Sequence, residues 1–329
     1  MGMQHMKIGV VGAGAWGTAL AQVAAAEGDE VPVWALEPEV AGAINATHEN
    51  SLYLPGIALS PVVHASNDLA ALACCDALLV VVPAQHLRGV VAALPRGDVP
   101  LILYSEGIEA GTGRLMSQVG AEAQPDAPIA VLSGPTFAHE VAAGLPTAIT
   151  LACADAALGQ KLAGRIARPT FRPYLSDDVI GAEIGGAVKN VLAIACGIAE
   201  GAGLGLNARA SLISRGFAEM SRFGLARGAR PETLAGLSGL GDLVLTCSST
   251  NSRNFSLGKG LGEGQSAHDL LGARRTVAEG AFTAPVLRDA AREAGVAMPI
   301  VEGVCAVLEG EVAVPEMIDA LLSRPLRSE

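Results

Sequence analysis

Along the first half of the chain, apolar positions fall in short unbroken runs rather than in alternation. Residues 7–11 (Lys7-Ile8-Gly9-Val10-Val11) form one run, which passes directly into Gly12-Ala13-Gly14-Ala15-Trp16-Gly17. The Ala-rich stretch 18–27 predicts a helix closed by Gly28, and residues 30–34 predict a second strand. Further runs at 77–82, 100–104, 129–132 and 147–152 are bounded by Gly, Pro or Asp, and 171–175 reads as an edge strand. Unbroken apolar strands separated by helical stretches predict a mostly parallel sheet covered on both faces. The turns at their carboxyl ends should line a ligand crevice: Val82-Pro83-Ala84, Ser105-Glu106-Gly107 and Ser133-Gly134-Pro135-Thr136.

After Ser176-Asp177-Asp178, which reads as an N-cap cluster, strand signals stop. The expected fold is an α/β, Rossmann-like, mostly parallel-sheet domain over residues 1–177, followed by an all-α domain over residues 178–329. A long apolar helix over 179–200 carries Lys189-Asn190 in its middle, among small and apolar neighbours. The lysine either snorkels to water or sits in dry surroundings, where desolvation tunes it for proton transfer. The pattern weighs the two evenly. Helices resume after 201–206, with Asn207 as the expected cap. Later, Ser248-Ser249-Thr250-Asn251-Ser252-Arg253-Asn254 precedes another helix. Such a run is either a solvated loop with a cap or an anion cradle, in which hydroxyls, N–H groups and one guanidinium converge on a phosphate.

The glycine turn gains weight from its setting of strand, turn, helix and second strand within about thirty residues. Gly12 would make the tight turn, Gly14 would let backbone approach a pyrophosphate, and Gly17 would let helix and strand pack closely. The helix N-terminus would then offer N–H groups and partial positive charge to phosphates. Glu37, twenty residues after Gly17, is the candidate acceptor for ribose hydroxyls, and no Lys or Arg closely follows the second strand to meet a 2′-phosphate. That favours NAD, with NADP as the alternative.

Composition narrows the classes. The 329 residues are 50% apolar but only 3% aromatic, which suits helices packed closely on a sheet. A net charge of −11 argues against nucleic acid and anionic membranes. No basic region followed by an apolar core opens the chain, and residues 141–154 are too short a run to span a bilayer. The expectation is a cytoplasmic protein without membrane insertion. Six cysteines lack C-x-x-C pairing and six histidines lack ligand spacing, so no metal site is expected.

Together these residues resemble the bacterial glycerol-3-phosphate dehydrogenases, which act on dihydroxyacetone phosphate. The likeness rests on G-A-G-A-W-G-T-A-L-A at 12–21, N-S-L-Y-L-P-G-I at 50–57 and S-G-P-T-F-A-H-E at 133–140. It continues with G-G-A-V-K-N-V at 185–191, G-L-G-D-L-V-L-T-C at 239–247 and S-T-N-S-R-N-F at 249–255. The resemblance implies that Lys189 polarises the substrate carbonyl and supplies the proton, with Asp242 orienting it and Thr246 and Asn190 nearby. It implies that Ser252, Arg253 and Asn254 hold the phosphate, and that Gly134 and Thr136 touch the substrate. Ala15, Trp16, Pro83, Ala138, Arg253, Val277 and Glu279 would lie along the cofactor. It further implies supply of glycerol phosphate for phospholipids, and a homodimer through the helical domain is expected.

Two positions depart from the family pattern. Trp34-Ala35-Leu36-Glu37 replaces W-A-R-D, so the arginine that would face an NADP phosphate is missing. Glu106-Gly107-Ile108-Glu109 replaces K-G-I-E, which puts a carboxylate where a lysine meets cofactor and substrate. Two unit charges about 4 Å apart interact by roughly 4 kcal/mol at an effective dielectric of 20, so this inversion bears on catalysis. Two alternatives therefore stay open: a catalytically impaired nucleotide-binding or sensor homologue, and a dehydrogenase of another small hydroxy acid.

Overall fold

A computed structural model describes residues 6–272 and 278–325. The apolar runs become strands β1 (Ile8–Val11), β2 (Val31–Trp34), β4 (Ala77–Val80), β5 (Leu101–Leu103), β6 (Ile129–Ser133), β7 (Thr147–Cys153) and β8 (Phe171–Ser176). The pattern does not predict β3 (Val63–Ser66), because only Val63 and Ala65 point inward while His64 is exposed. Among the described residues the strands lie in one eight-stranded sheet of order β3-β2-β1-β4-β5-β6-β7-β8. Every neighbouring pair is parallel except β6 and β7.

The central strands are buried at every position, which is why they read as unbroken apolar runs. Their residues alternate between two cores. Ile8, Val10, Leu79 and Ile102 face the core that α1 (Ala15–Ala24), α2 (Pro38–Thr47), α5 (Ala138–Ala142) and α6 (Ala156–Ile166) cover. Val11, Leu78, Val80, Leu101 and Leu103 face the core beneath α3 (Leu87–Ala92) and α4 (Met116–Ala123).

The remaining described residues form helices, as expected: α7 (Val179–Gly201), α8 (Gly205–Ala226), α9 (Pro231–Leu234), α10 (Asp242–Thr246), α11 (Arg253–Gly262) and α12 (Ala267–Gly272). They are followed by α13 (Glu279–Glu293), α14 (Pro299–Leu308) and α15 (Val314–Leu322). Asn207 does not cap α8. Gly203 and Gly205 turn the chain earlier with φ of 71° and 81°, so Leu204 takes the cap position.

Contacts divide the chain into two units, the first running to Glu106 and resuming over Arg114–Glu183, the second comprising Gly107–Gly113 and everything from Ile184. By these contacts the first five residues of α7, Val179 to Glu183, group with the sheet unit. Val179 and Ala182 join the second sheet core. The Glu183 carboxylate accepts hydrogen bonds from Ser117 N and Oγ, both at 2.6 Å.

Helix α7 is long and apolar enough to cross a membrane, yet 89% of its most apolar window is buried inside the fold. A helix hydrophobic all round belongs in such a core. It meets α11 backbone to backbone. A Cβ on Gly197 would lie 2.1 Å from Phe255 O, and one on Gly258 2.0 Å from Ile194 O.

Candidate active site

In the first unit the site grows from the carboxyl ends of β1, β4, β5 and β6, which are neighbours in the sheet. Gly12 leaves β1 with φ of 109°, a conformation that only glycine adopts without strain. A Cβ on Gly17 would lie 1.7 Å from Gly12 O, so any larger residue would push α1 off the turn. Gly14 holds the N-cap position of α1, with open space where a Cβ would stand. No side chain caps this helix and no acidic residue occupies its first turn. Its leading N–H groups and dipole are therefore disposed toward an anion, which is the fit a dinucleotide pyrophosphate requires.

Ala15 and Trp16 open α1, and the Trp16 ring lies against Tyr104 with centroids 4.6 Å apart. The Thr136 hydroxyl donates to Gly134 O at 3.1 Å, which leaves Tyr104 to donate to Thr136 Oγ1, also at 3.1 Å. Ser105 donates to Val82 O at 2.5 Å and so ties the ends of β5 and β4 beside Pro83 and Glu106. Ala138 begins α5. The fold thus gathers Gly12, Gly14, Ala15, Trp16, Gly17, Pro83, Glu106, Gly134, Thr136 and Ala138 along one edge of the sheet.

Glu37 follows β2, half-buried, and Leu36 beside it is 70% exposed. Two residues that sequence reasoning left without a role act here. Tyr53 donates its hydroxyl to Glu37 Oε1 at 2.8 Å. Asn50 donates to Ala13 O and Thr18 Oγ1, each at 2.8 Å. Their only signal in the sequence was the N-S-L-Y motif.

In the second unit Lys189 is buried and pairs with the buried Asp242, so the snorkelling reading fails. A wide five-residue turn, Leu237–Gly241, leads straight into α10 and sets Asp242 at its head. Thr246, one turn on, donates its hydroxyl to Asp242 Oδ1 at 3.2 Å. Asn190 Oδ1 accepts from Asn254 Nδ2 at 2.9 Å, and Asn254 Oδ1 accepts from Gly280 N at 2.9 Å. This amide chain joins α7, α11 and the start of α13, where Glu279 stands. Ser252 caps α11 by accepting from Phe255 N at 3.2 Å, and Arg253 is the exposed first residue of that helix. Val277 lies outside the described residues. Burial, then contact with the Cys196 thiol, holds Cys247 well above the ordinary thiol value, so it lines the ion pair as a neutral wall. An ammonium kept dry and oriented by a carboxylate can stabilise a developing alkoxide and then protonate it.

Comparison with known proteins places the whole chain in one family. Residues 7–159 match the family model for the NAD-dependent glycerol-3-phosphate dehydrogenase N-terminus, and residues 178–319 match that for its C-terminus. A glycerol-3-phosphate dehydrogenase [NAD(P)+] of Sphingopyxis alaskensis is 63% identical over 99% of this chain and 98% of its own length. Its counterpart in Novosphingobium aromaticivorans is 64% identical, covering 98% of each chain. The crystal structure of glycerol-3-phosphate dehydrogenase from Coxiella burnetii superposes with a TM-score of 0.93 at 38% identity, over 98% of this chain and all of that one. Fold, glycine turn, lysine–aspartate pair and full-length relatives converge: the chain belongs to the NAD-dependent glycerol-3-phosphate dehydrogenase family.

Proposed function

We propose that this protein interconverts dihydroxyacetone phosphate and sn-glycerol 3-phosphate, as an NAD(P)-dependent oxidoreductase that supplies the glycerol phosphate backbone of phospholipids. The observation that carries this reading is the buried Lys189–Asp242 pair, set beside the Asn190–Asn254 amide chain. A bound nicotinamide supplies the hydride. Lys189 donates a hydrogen bond and then a proton to the substrate's C2 oxygen, while Asp242 and Thr246 hold the ammonium in place. Arg253 and Asn254, at the start of α11, take the phosphate, with charge-assisted hydrogen bonds and the helix dipole working together. Gly134 and Thr136 contact the substrate, and Glu37 accepts from the ribose hydroxyls, which favours NAD over NADP.

The experiment is oxidation of NADH and of NADPH by dihydroxyacetone phosphate, with the native protein and Glu106→Lys side by side. The expected result is turnover by the native protein, preferentially with NADH. Turnover by the lysine variant alone would sink the reading in favour of an impaired, nucleotide-binding homologue.

We place the protein in the cytoplasm as a homodimer, apart from membranes and nucleic acid. The net charge of −11 repels polyanions, and α8 leaves Leu206 and Leu225 exposed for self-association. Sedimentation tests the assembly, and a monomer at micromolar concentration would remove it.

A further inference from the structure

The Asn50–Leu54 turn is closed on itself: Leu54 N donates to Asn50 O at 2.8 Å, and the two residues pair as an antiparallel bridge. Asn50 is 1% exposed, and its amide is fully used. Nδ2 donates to Ala13 O and Thr18 Oγ1, each at 2.8 Å, and Oδ1 accepts from Tyr53 N at 3.1 Å. The Tyr53 ring packs on the core beneath α1 and α2, and its hydroxyl donates to Glu37 Oε1. Burial, then the bond to Glu37, raises the phenol above its ordinary value, so at neutral pH it is protonated and acts as donor. A hydrogen-bonded path therefore runs from the glycine turn to the carboxylate beyond β2. In the chain that follows β2, residues 36–47 contain Glu37 and Glu39 and no Lys or Arg.

We propose that Tyr53 is the positioning residue for cofactor choice, fixing Glu37 so that its carboxylate accepts from an adenosine ribose and stands where a 2′-phosphate would need room and positive charge. The inference rests on the ribose role of Glu37 proposed above and adds what makes that role selective. An unanchored glutamate has three side-chain torsions to order on binding and can swing away from an incoming phosphate. One anchored through Oε1 binds with less entropy lost and cannot relax away from like charge. Asn50 fixes the Tyr53 backbone to the phosphate turn, so pyrophosphate and ribose are met at a set spacing.

Tyr53→Phe keeps the ring and removes the donor. Binding of NADH and NADPH to the full chain is titrated directly, alongside kcat at saturating NADH and a thermal melt. The expected outcome is about a tenfold rise in the NADH Kd, the scale of one hydrogen bond to a charged group. The NADPH Kd should stay level or fall, and kcat should be retained. In a Glu37→Ala background, Tyr53→Phe should change neither affinity further. Equal weakening of both cofactors, or additive effects in the double variant, would overturn the role of Tyr53 while leaving that of Glu37 standing. Unchanged NADH binding in Glu37→Ala alone would remove the ribose reading and this inference with it.

Discussion

Replacing Lys189 with methionine removes a charge from a place where water cannot stand in for it. Lys189 is 5% exposed and Asp242 1%. The variant therefore leaves a carboxylate buried without the ammonium that faced it, though the Thr246 hydroxyl still reaches Oδ1. Removing one partner of a buried ion pair costs about 3–5 kcal/mol. For a helical unit of this size each kcal/mol shifts the melting point by about 2–4 °C, so its transition should fall by about 6–20 °C. Adding Asp242→Asn removes the stranded charge and should restore most of that loss. The deficit of the single variant should also shrink toward acid pH, where the stranded carboxyl can take a proton. Turnover is the second readout. Loss of a general acid lowers kcat by about 10²–10⁴, in the single and the double variant alike, with NADH affinity held. Calorimetric melts and steady-state kinetics on the three proteins separate the two effects. A Lys189→Met protein that melts with the parent would refute the buried-charge reasoning, and a kcat within about tenfold of the parent would remove Lys189 as proton donor.

Burial lifts the Glu219 carboxyl to about 7, from an ordinary value near 4.5, although Ile300 N and Val301 N donate to it. The folded protein thus keeps a proton that the unfolded chain releases. This contribution is complete below about pH 4.5 and is lost as pH rises through 7, amounting to about 3 kcal/mol at 1.36 kcal/mol per pH unit. Denaturant titrations at pH 5 and 8 should show a smaller pH difference for Glu219→Gln; an equal difference would count against the shift. Gly197→Ala, whose new methyl would meet Phe255 O, should cost at least about 1–3 kcal/mol in unfolding free energy, and a neutral result would contradict the backbone contact. Arg253→Ala should raise the KM for dihydroxyacetone phosphate by about 10–100-fold, the scale of one charge-assisted hydrogen bond, and an unchanged KM would exclude a phosphate contact.

How far the sequence discloses the molecule depends on how local each signal is. The glycine turn was legible because strand, turn and helix follow one another within one short stretch of chain, and the geometry at Gly12 and Gly17 demands the residue found there. Strand β3 was not, since two inward positions make too short a pattern. Lys189 could be read two ways until the packing on every side of α7 closed the route to water. A helix start at α7 is visible in sequence, whereas the contacts its first turn makes are set by partners such as Ser117, 66 residues away. Asn50 and Tyr53 escaped for the same reason: their partners Ala13, Thr18 and Glu37 lie 37, 32 and 16 positions off, beyond any periodicity.

The crossing of α7 and α11 has a bearing on which molecules the enzyme accepts. Side chains that separate two helices can be trimmed or swung to reset a gap; touching backbones allow no such adjustment. Lys189 and Asn190 ride on α7, while Arg253 and Asn254 ride on the first turn of α11. On the roles proposed above, the glycine contact at Gly197 and Gly258 is a gauge, setting the span between the proposed proton donor and the proposed phosphate grip. A substrate one carbon longer would reach the grip with its carbonyl out of register with the lysine. On that proposal, selection for a three-carbon skeleton would reside partly in residues that never touch it, and redesigning only those that do would not move it.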